Sequence, residues 1–345
     1  MIQSGASRYV YWLPTLRKED APLVGRKSAN LGEALRLGLR VPPGFAVSVR
    51  AYEDFLDCTQ AGSRIREVVE QAGVDLESIE KLERLSARLR EIVESQPLPA
   101  EIEDALADAY RELCGFCGRE NVPVSTRSAG PVSRPGQYET YLNVVGAEEV
   151  AEMVRRVWAS TFNSRSLAFR LRHGLPLERD PIGVTVLKMV NAKAAGVLFT
   201  ADPNTGDRET MVIEANWGLG ESVVSGEVTP DAFFLDKSTG QVRQKKLGRK
   251  VRLVTSAERG VADQETGWER QSVFCLSDAE AEEIGRLGRA LEEHFGCPQD
   301  VEWAVDAEAG FPENVVLLQA RPAVIAERKP AAEQVAEMLV KWFYG

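Results

Sequence analysis

The spacing of apolar residues changes character near residue 182. Before it, helical spacing dominates, over 51–114 with an interruption near Pro97 and Pro99, and again over 148–173. After it, short strand-like runs follow one another, and one helical pattern covers 278–295. A chain of 345 residues is too long for one ordinary core. We therefore predict an α/β (α+β) protein with two lobes.

The predicted lobes are 1–181 and 182–325, and a tail follows at 326–345. Within the tail, a helical pattern over 330–344 gathers apolar residues on one face, namely Val335, Met338, Leu339 and Trp342. Such a face could dock a partner, although packing on its own lobe is the commoner outcome.

Composition excludes several classes of protein. A net charge of −10 argues against a general nucleic-acid role, because such proteins neutralise phosphates with basic surfaces. The local basic run of Lys245, Lys246, Arg249 and Lys250 is interpreted as a solvated turn. No apolar run is long enough to span a bilayer, and the N-terminus lacks the pattern of a signal peptide. With scattered cysteines interpreted as reduced, we expect a cytoplasmic protein.

Two basic residues stand where anions are often bound. Lys27 follows a glycine at the start of a helical pattern, and helix N-termini favour phosphates. Arg127 ends a predicted strand and enters a loop rich in glycine and proline. Taken singly, each could equally be a surface residue with a local partner.

The segment 214–226 resembles a strand that opens into a glycine-rich turn. It does not match the spacing of a P-loop, nor that of a dinucleotide-binding turn. Tight backbone approach is therefore its predicted role.

The last two predicted strands, 300–306 and 315–320, suggest a metal site. If they form a hairpin, Glu302 stands opposite Gln319, and Arg321 shares their face. Carboxylate and amide oxygens suit Mg²⁺, and a neighbouring guanidinium can hold a phosphate. The alternative, a surface hairpin whose polar face meets water, is equally favoured by these residues alone.

Eight short segments, in order along about 15–325, together resemble one protein family. They are GRKSANLG at 25–32, VPPGF at 41–45, STRSA at 125–129, GQYETYLN at 136–143, AGVLFTADP at 195–203, WGLGE at 217–221, DVEW at 300–303 and LQARP at 318–322. They are similar to motifs of the N-terminal nucleotide-binding domain of phosphoenolpyruvate synthase, pyruvate phosphate dikinase and rifampicin phosphotransferase. Their joint agreement makes this resemblance highly specific.

The resemblance implies an ATP-grasp-like fold whose two lobes close on ATP with Mg²⁺. It also assigns roles to individual residues. Lys27 and Arg127 would contact phosphates, Gly136 and Thr140 would line the phosphate loop, Met189 and Val190 would bind adenine through their backbone, Glu302 and Gln319 would hold Mg²⁺, and Arg321 would hold the transferring phosphate.

The chain departs from the family pattern at three places. The loop 130–136 is shorter than usual, and Leu187 replaces a glutamine before the adenine segment. The family's phosphate-carrier histidine lies in a later domain, and the contexts of His173 and His294 do not match it.

We therefore expect a split enzyme. This chain would phosphorylate a histidine on a separate subunit, with AMP and phosphate as products, and that subunit would phosphorylate a small acceptor. Phenylphosphate synthase, whose acceptor is phenol, is a family member built in this way. Two alternatives stay open: an ATP-sensing or scaffold subunit, which the short loop favours, and a stand-alone kinase for a small molecule.

Overall fold

The computed structural model describes residues 8–73, 78–132 and 136–326. These residues form two compact units. The first contains the described residues up to Asn191 with Val254–Gln264 and Val316–Gln319, and the second contains Ala192–Leu253, Glu265–Val315 and the described residues from Ala320 onwards. The predicted tail helix at 330–344 lies outside the described residues.

Thirteen strands and eleven α-helices are described, along with three short 3₁₀ turns. The strands are β1 (Val10–Trp12), β2 (Gly44–Val47), β3 (Val124–Ala129), β4 (Thr140–Val144), β5 (Gly183–Lys188), β6 (Ala192–Phe199), β7 (Thr210–Trp217), β8 (Asp231–Asp236), β9 (Val242–Lys246), β10 (Arg252–Ser256), β11 (Val261–Glu265), β12 (Gln299–Asp306) and β13 (Val315–Pro322). The helices are α1 (Ala21–Val24), α2 (Arg26–Arg36), α3 (Val49–Cys58), α4 (Ala61–Ala72), α5 (Ile79–Glu94), α6 (Ala100–Cys117), α7 (Ala147–Ala159), α8 (Ser164–Arg172), α9 (Glu221–Val224), α10 (Trp268–Gln271) and α11 (Asp278–Phe295). The predicted α/β (α+β) class is confirmed.

The first unit is built on a five-stranded antiparallel sheet with the order β1-β2-β5-β3-β4. One face carries Phe45, Val184 and Val186, which are fully buried in a core shared with α3 to α8. Within that core the rings of Tyr52 and Trp158 stack at 5.3 Å. Because side chains alternate along a strand, the intervening residues point to the opposite face.

A second sheet has six strands in the order β13-β12-β6-β7-β8-β9, of which β6 to β9 and β12 belong to the second unit. Helix α11 packs closely on one face of it. A Cβ added to Gly288 would lie 2.3 Å from Cδ2 of Leu198, and one on Gly285 would lie 2.7 Å from Cδ2 of Leu235. These two leucines point to the same face as Trp303 of β12.

A reciprocal cap fixes the start of α11. Ser277 Oγ accepts the Glu280 N–H at 3.2 Å, and the Glu280 carboxylate accepts the Ser277 N–H at 2.8 Å. Lys193 donates to the same carboxylate at 2.6 Å. Burial would raise the pKa of Glu280, but the hydrogen bonds from Lys193 and Ser277 outweigh it, so the pKa is lowered. The serine three residues before a glutamate is the sequence signature of this cap.

The units divide between Asn191 and Ala192, whereas the sequence placed the boundary near residue 182. The difference is β5, which lies between β2 and β3 in the first sheet. Its apolar pattern resembles that of the strands that follow it, so the sequence grouped it with them.

The basic run is solvated at Lys245, Lys246 and Arg249, as predicted, but it does not form a single turn. Lys245 and Lys246 end strand β9, and the Lys250 side chain is fully buried. Lys250 Nζ donates to Asp231 Oδ1 at 2.5 Å, and the same carboxylate accepts the N–H groups of Gly248 and Cys275. The buried charge is thus paired and hydrogen-bonded, as burial requires.

Within the described part of the chain, no helix combines the length and the apolar character needed to cross a membrane.

Candidate functional site

The start of α2 is held against the end of β3 in the first unit. Gly25 precedes the helix with a φ of +81°, and a Cβ there would lie 1.9 Å from the Ala129 carbonyl oxygen. The Arg26 N–H donates to the Gly130 carbonyl at 2.9 Å. Lys27 therefore lies in the first turn of a helix whose N-terminus abuts the loop after β3, and its side chain is partly buried.

A row of polar residues crosses the sheet face beside α2. The strand register pairs Arg127 of β3 with Thr185 of β5 on one side and with Thr140 of β4 on the other. Paired residues point to the same face. Ser28 of α2 identifies that face, because its Oγ lies 2.7 Å from Oγ1 of Thr185.

This arrangement puts Arg127 and Thr140 on the sheet face beside α2, whose first turn contains Lys27. Lys27 supplies an ammonium group in the first turn of the helix. Arg127 supplies a guanidinium group, and Thr140 supplies a hydroxyl group. Cations and helix N-termini bind phosphates, and an arginine can do so with two parallel hydrogen bonds. Gly136 is exposed with a φ of +67° and lies four residues before Thr140. The neighbouring loop residues 133–135 lie outside the described residues.

The predicted adenine segment follows β5. The Met189 N–H donates to the Pro123 carbonyl at 2.8 Å, and the Lys188 N–H donates to the Pro43 carbonyl at 2.9 Å. Val190 is buried. Because the Met189 N–H is already engaged, any backbone contact from Met189 to a base would use its carbonyl. The adenine role of Met189 and Val190 stays a prediction.

A second polar row lies in the second unit. Glu302 of β12 pairs with Val197 of β6, which in turn pairs with Glu214 of β7. The two carboxylates thus point to the same face, opposite the one that α11 covers, and their backbones are about 10 Å apart across two strand spacings. Burial raises the pKa of Glu214.

Asp300 and Arg321 form an ion pair next to this row. Arg321 Nη2 lies 2.6 Å from Asp300 Oδ2, and its Nε donates to the same oxygen at 2.8 Å. Burial raises the pKa of Asp300; Arg321 partly offsets this, and the nearby charge of Glu302 adds to it. The sequence motifs predict Arg321 as a phosphate ligand but assign no role to Asp300 or Glu214.

A signal for both residues was present in the sequence. Asp300 lies two residues before Glu302, so strand alternation places it on the same face. Glu214 follows an apolar run as its first charged residue. Neither could be selected without knowing which strands are neighbours.

Comparison with known proteins decides the family. The family described as pyruvate phosphate dikinase, AMP/ATP-binding domain, matches residues 21–340. This chain belongs to that family. Its mixed architecture of antiparallel sheets and helices is consistent with the ATP-grasp-like fold that the sequence motifs imply.

Three relatives of the AMP/ATP-binding domain family illustrate the likeness. The chain is 40% identical to a probable phosphoenolpyruvate synthase of Archaeoglobus fulgidus, covering 95% of this chain and 43% of the relative. It is 36% identical to a probable phosphoenolpyruvate synthase of Staphylothermus marinus, covering 96% and 43%. It is 34% identical to the phosphoenolpyruvate synthase of Pyrococcus furiosus, covering 96% and 46%. The chain thus spans less than half the length of these relatives.

The residues predicted to hold Mg²⁺ fit a hard cation by their chemistry. Glu302 is partly exposed on its strand face, and Gln319 is buried on β13, the hydrogen-bonded neighbour of β12. Over residues 8–73, 78–132 and 136–326, no cluster of three or more His, Cys, Asp or Glu side chains could hold a metal. Mg²⁺ commonly takes one or two protein oxygens and completes its shell with water and phosphate. The metal roles of Glu302 and Gln319 stay predictions.

Proposed function

We propose that this chain binds Mg-ATP and is the ATP-binding part of a phosphotransferase of the phosphoenolpyruvate synthase type. It phosphorylates a histidine on a separate protein, with AMP and phosphate as the other products. That protein then phosphorylates a small acceptor. Pyruvate and phenol are the two acceptors to compare, the first from the names of the related proteins and the second from the split-enzyme expectation.

The observation that carries the proposal is the row of Arg127, Thr140 and Thr185 beside the start of α2. It supports a phosphate-binding role because the strand register and the Ser28–Thr185 contact put Arg127 on the sheet face beside α2. The first turn of α2 contains Lys27. The family match and the names of the relatives support ATP as the donor.

The chemistry requires charge neutralisation more than a protein base. Phosphoryl transfer is accelerated mainly by positioning and by stabilising the charge on the phosphate oxygens. Lys27 and Arg127 supply positive charge in the first unit. In the second unit Arg321 supplies a guanidinium whose carboxylate partner, Asp300, could be exchanged for a phosphate. Bound Mg²⁺ would neutralise phosphate charge and would be held by Glu302 and Gln319.

Label transfer tests the proposal directly. The chain is mixed with a candidate histidine-carrying protein, Mg²⁺, and ATP labelled at the β or γ position. We expect AMP and an acid-labile label on the second protein, and the labelled position that transfers identifies the phosphate. Tight ATP binding without transfer to any candidate would favour the ATP-sensing subunit, and direct labelling of a small molecule would favour the stand-alone kinase.

The metal assignment has its own test. Glu302→Gln removes a carboxylate charge and should make ATP binding less dependent on Mg²⁺. Glu313→Gln, an exposed carboxylate just before β13, serves as the control and should leave that dependence unchanged. Calorimetric titration with ATP over a range of Mg²⁺ concentrations measures both. An identical Mg²⁺ dependence in wild type and Glu302→Gln would contradict the assignment.

A further inference from the structure

The segment just before Thr140 is held by three hydrogen bonds. The Glu139 N–H donates to Ser160 Oγ at 3.1 Å, and the Asn163 side-chain amide donates to the Gln137 carbonyl. Between them, the Tyr138 hydroxyl donates to the Asp180 carboxylate. Three consecutive residues, 137–139, are therefore attached to the helical side of the first unit.

The two groups that bind the backbone are themselves fixed. The Ser160 side chain is fully buried, and its hydroxyl donates to the Val157 carbonyl at 2.7 Å. Asn163 uses the other end of its amide to cap α8, because its Oδ1 accepts the Ser166 N–H at 2.8 Å. Each side chain thus links a helix end to segment 137–139.

A buried arginine connects the elements that carry these groups. Arg170 is 1% exposed and donates to the carbonyls of Thr161 and Leu177. Thr161 lies between Ser160 and Asn163, and Leu177 lies three residues before Asp180. A buried guanidinium needs such hydrogen bonds, so this arrangement resists displacement. The elements that hold segment 137–139 are therefore also hydrogen-bonded to one another through Arg170.

We propose that Ser160 and Asn163 are positioning residues, which fix Thr140 beside Arg127 for the phosphates of the nucleotide. The inference rests on the proposed function, because it takes the pairing of Thr140 with Arg127 to serve phosphate binding. Neither residue needs to touch the ligand. Their effect is to remove the freedom of the backbone that carries Thr140, so the phosphate-binding geometry exists before ATP arrives.

The chain offers a matched control for Ser160. Ser48 is also fully buried, and its hydroxyl also accepts one backbone N–H and donates to one backbone carbonyl. Those partners are Ala51 and Arg8, whereas those of Ser160 are Glu139 and Val157. Ser160→Ala and Ser48→Ala therefore lose equivalent bonds, but one loss falls on segment 137–139.

Two readouts on the full chain separate the inference from the proposed function. The first is amide hydrogen exchange over 137–141, which should accelerate in Ser160→Ala and stay unchanged in Ser48→Ala. The second is the ratio of ATP affinity to adenosine affinity. We expect Ser160→Ala to lower this ratio about 2- to 10-fold, the effect of one hydrogen bond, and Ser48→Ala to leave it unchanged.

Asn163→Asp provides a second variant that keeps the cap of α8. It retains the Oδ1 acceptor for Ser166 but removes the donor to Gln137, so it should lower the same ratio without unfolding the helix. If the wild type binds ATP and both variants keep its ratio, the inference is overturned while the proposed function survives. If the wild type binds neither ligand, the proposed function fails. Unchanged exchange over 137–141 in Ser160→Ala would overturn the anchoring in either case.

Discussion

Two carboxylates of the second unit each form an ion pair with a basic side chain, and the two pairs differ in their exposure to solvent. Asp231 and Lys250 are both fully buried, and two backbone N–H groups also donate hydrogen bonds to the carboxylate. The Arg321 side chain keeps 25% of its surface exposed, beside Asp300 at 9%. The first pair is sealed and serves the fold. The second pair leaves part of its guanidinium exposed, as the predicted role of a phosphate ligand requires.

Replacement of Arg321 by alanine should lower the free energy of unfolding by an amount that depends on pH. The pKa of Asp300 already lies above its ordinary value of 3.8, so its ionisation destabilises the fold as pH rises through and above that value. Arg321→Ala removes the cation that offsets this effect, and the pKa should rise further. We expect a loss of about 1–3 kcal/mol in the free energy of unfolding at pH 7. The loss should shrink as the pH is lowered toward 4, because protonation of Asp300 removes the charge that Arg321 balances.

Urea unfolding of wild type and variant at both pH values measures this. The double variant Asp300→Asn with Arg321→Ala should recover much of the loss at pH 7, because no unpaired carboxylate is left. An equal loss at both pH values, or no recovery in the double variant, would show that Arg321 stabilises the fold by packing rather than by pairing with Asp300.

At the scale of elements, the placement of α2 depends on close backbone approach at Gly25. Gly25 and Gly38 flank this helix, with φ values of +81° and +72°. A Cβ at Gly25 would lie 1.9 Å from the Ala129 oxygen, whereas none of the described atoms lies within 4 Å of one at Gly38. Both positions therefore favour glycine because of their positive φ, and Gly25 adds two constraints: a ψ of 152°, in a region adopted almost only by glycine, and the lack of space beside Ala129.

Alanine at each position should separate these effects. We expect Gly38→Ala to lower the free energy of unfolding by about 1–2 kcal/mol, the cost of a left-handed conformation for a residue with a side chain. Gly25→Ala should lower it further, and it should also weaken ATP binding because the start of α2 is pushed away from β3. Chemical denaturation and calorimetric titration measure the two quantities. Equal effects on both would mean that the contact with Ala129 has no influence on the site.

The sequence predicted central strands better than edge strands. The predicted strand-like runs at 45–49, 122–126, 183–190, 196–200, 210–215, 232–236 and 300–306 overlap strands β2, β3, β5, β6, β7, β8 and β12. Burial on both faces gives these central strands continuous apolar patterns. Among the edge strands of the two large sheets, β13 overlaps the predicted run 315–320, whereas β1, β4 and β9 were missed. Strand β9 is mostly exposed and ends in two lysines, and edge strands commonly carry such charges because they prevent pairing with other chains.

The predicted helical stretch over 51–114 is four helices. The break near Pro97 and Pro99 is confirmed by the gap between α5 and α6. The breaks at Gln60 and Gly73 were not predicted; both residues adopt positive φ, and glutamine gives no warning of this in a sequence. Helical spacing reports the face that is buried but not the turns that reverse the chain.

Individual site residues were predictable where a motif identifies them, as for Lys27 and Arg127. The packing of α2 on the sheet face that carries Arg127 was not predictable, because it depends on the order β5-β3-β4 and on the hydrogen bond between Ser28 and Thr185. Asp300, Glu214, Ser160 and Asn163 were missed for the same reason. The role of each depends on a neighbouring residue in the fold that is distant in the sequence.

At the scale of the whole molecule, the position of the two histidines bears on the proposed division of labour. His294 belongs to α11, which covers the face of the six-stranded sheet opposite Glu302 and Glu214. His173 follows α8, part of the helical layer on the face of the first sheet opposite Arg127. Its Nδ1 lies 2.8 Å from the Phe169 carbonyl oxygen, and its ring stacks on Phe169 at 4.1 Å.

Each histidine therefore belongs to the side of its own sheet opposite the candidate residues of that unit. The double variant His173→Asn with His294→Asn should transfer label from ATP to the histidine-carrying protein at the wild-type rate, and the wild-type chain alone should retain no acid-labile label. Both are measured by acid and base treatment of the separated proteins after a timed reaction. Loss of transfer in the double variant, with ATP binding intact, would place the carrier histidine in this chain. The separate subunit would then be unnecessary as a carrier and would have to act as the acceptor.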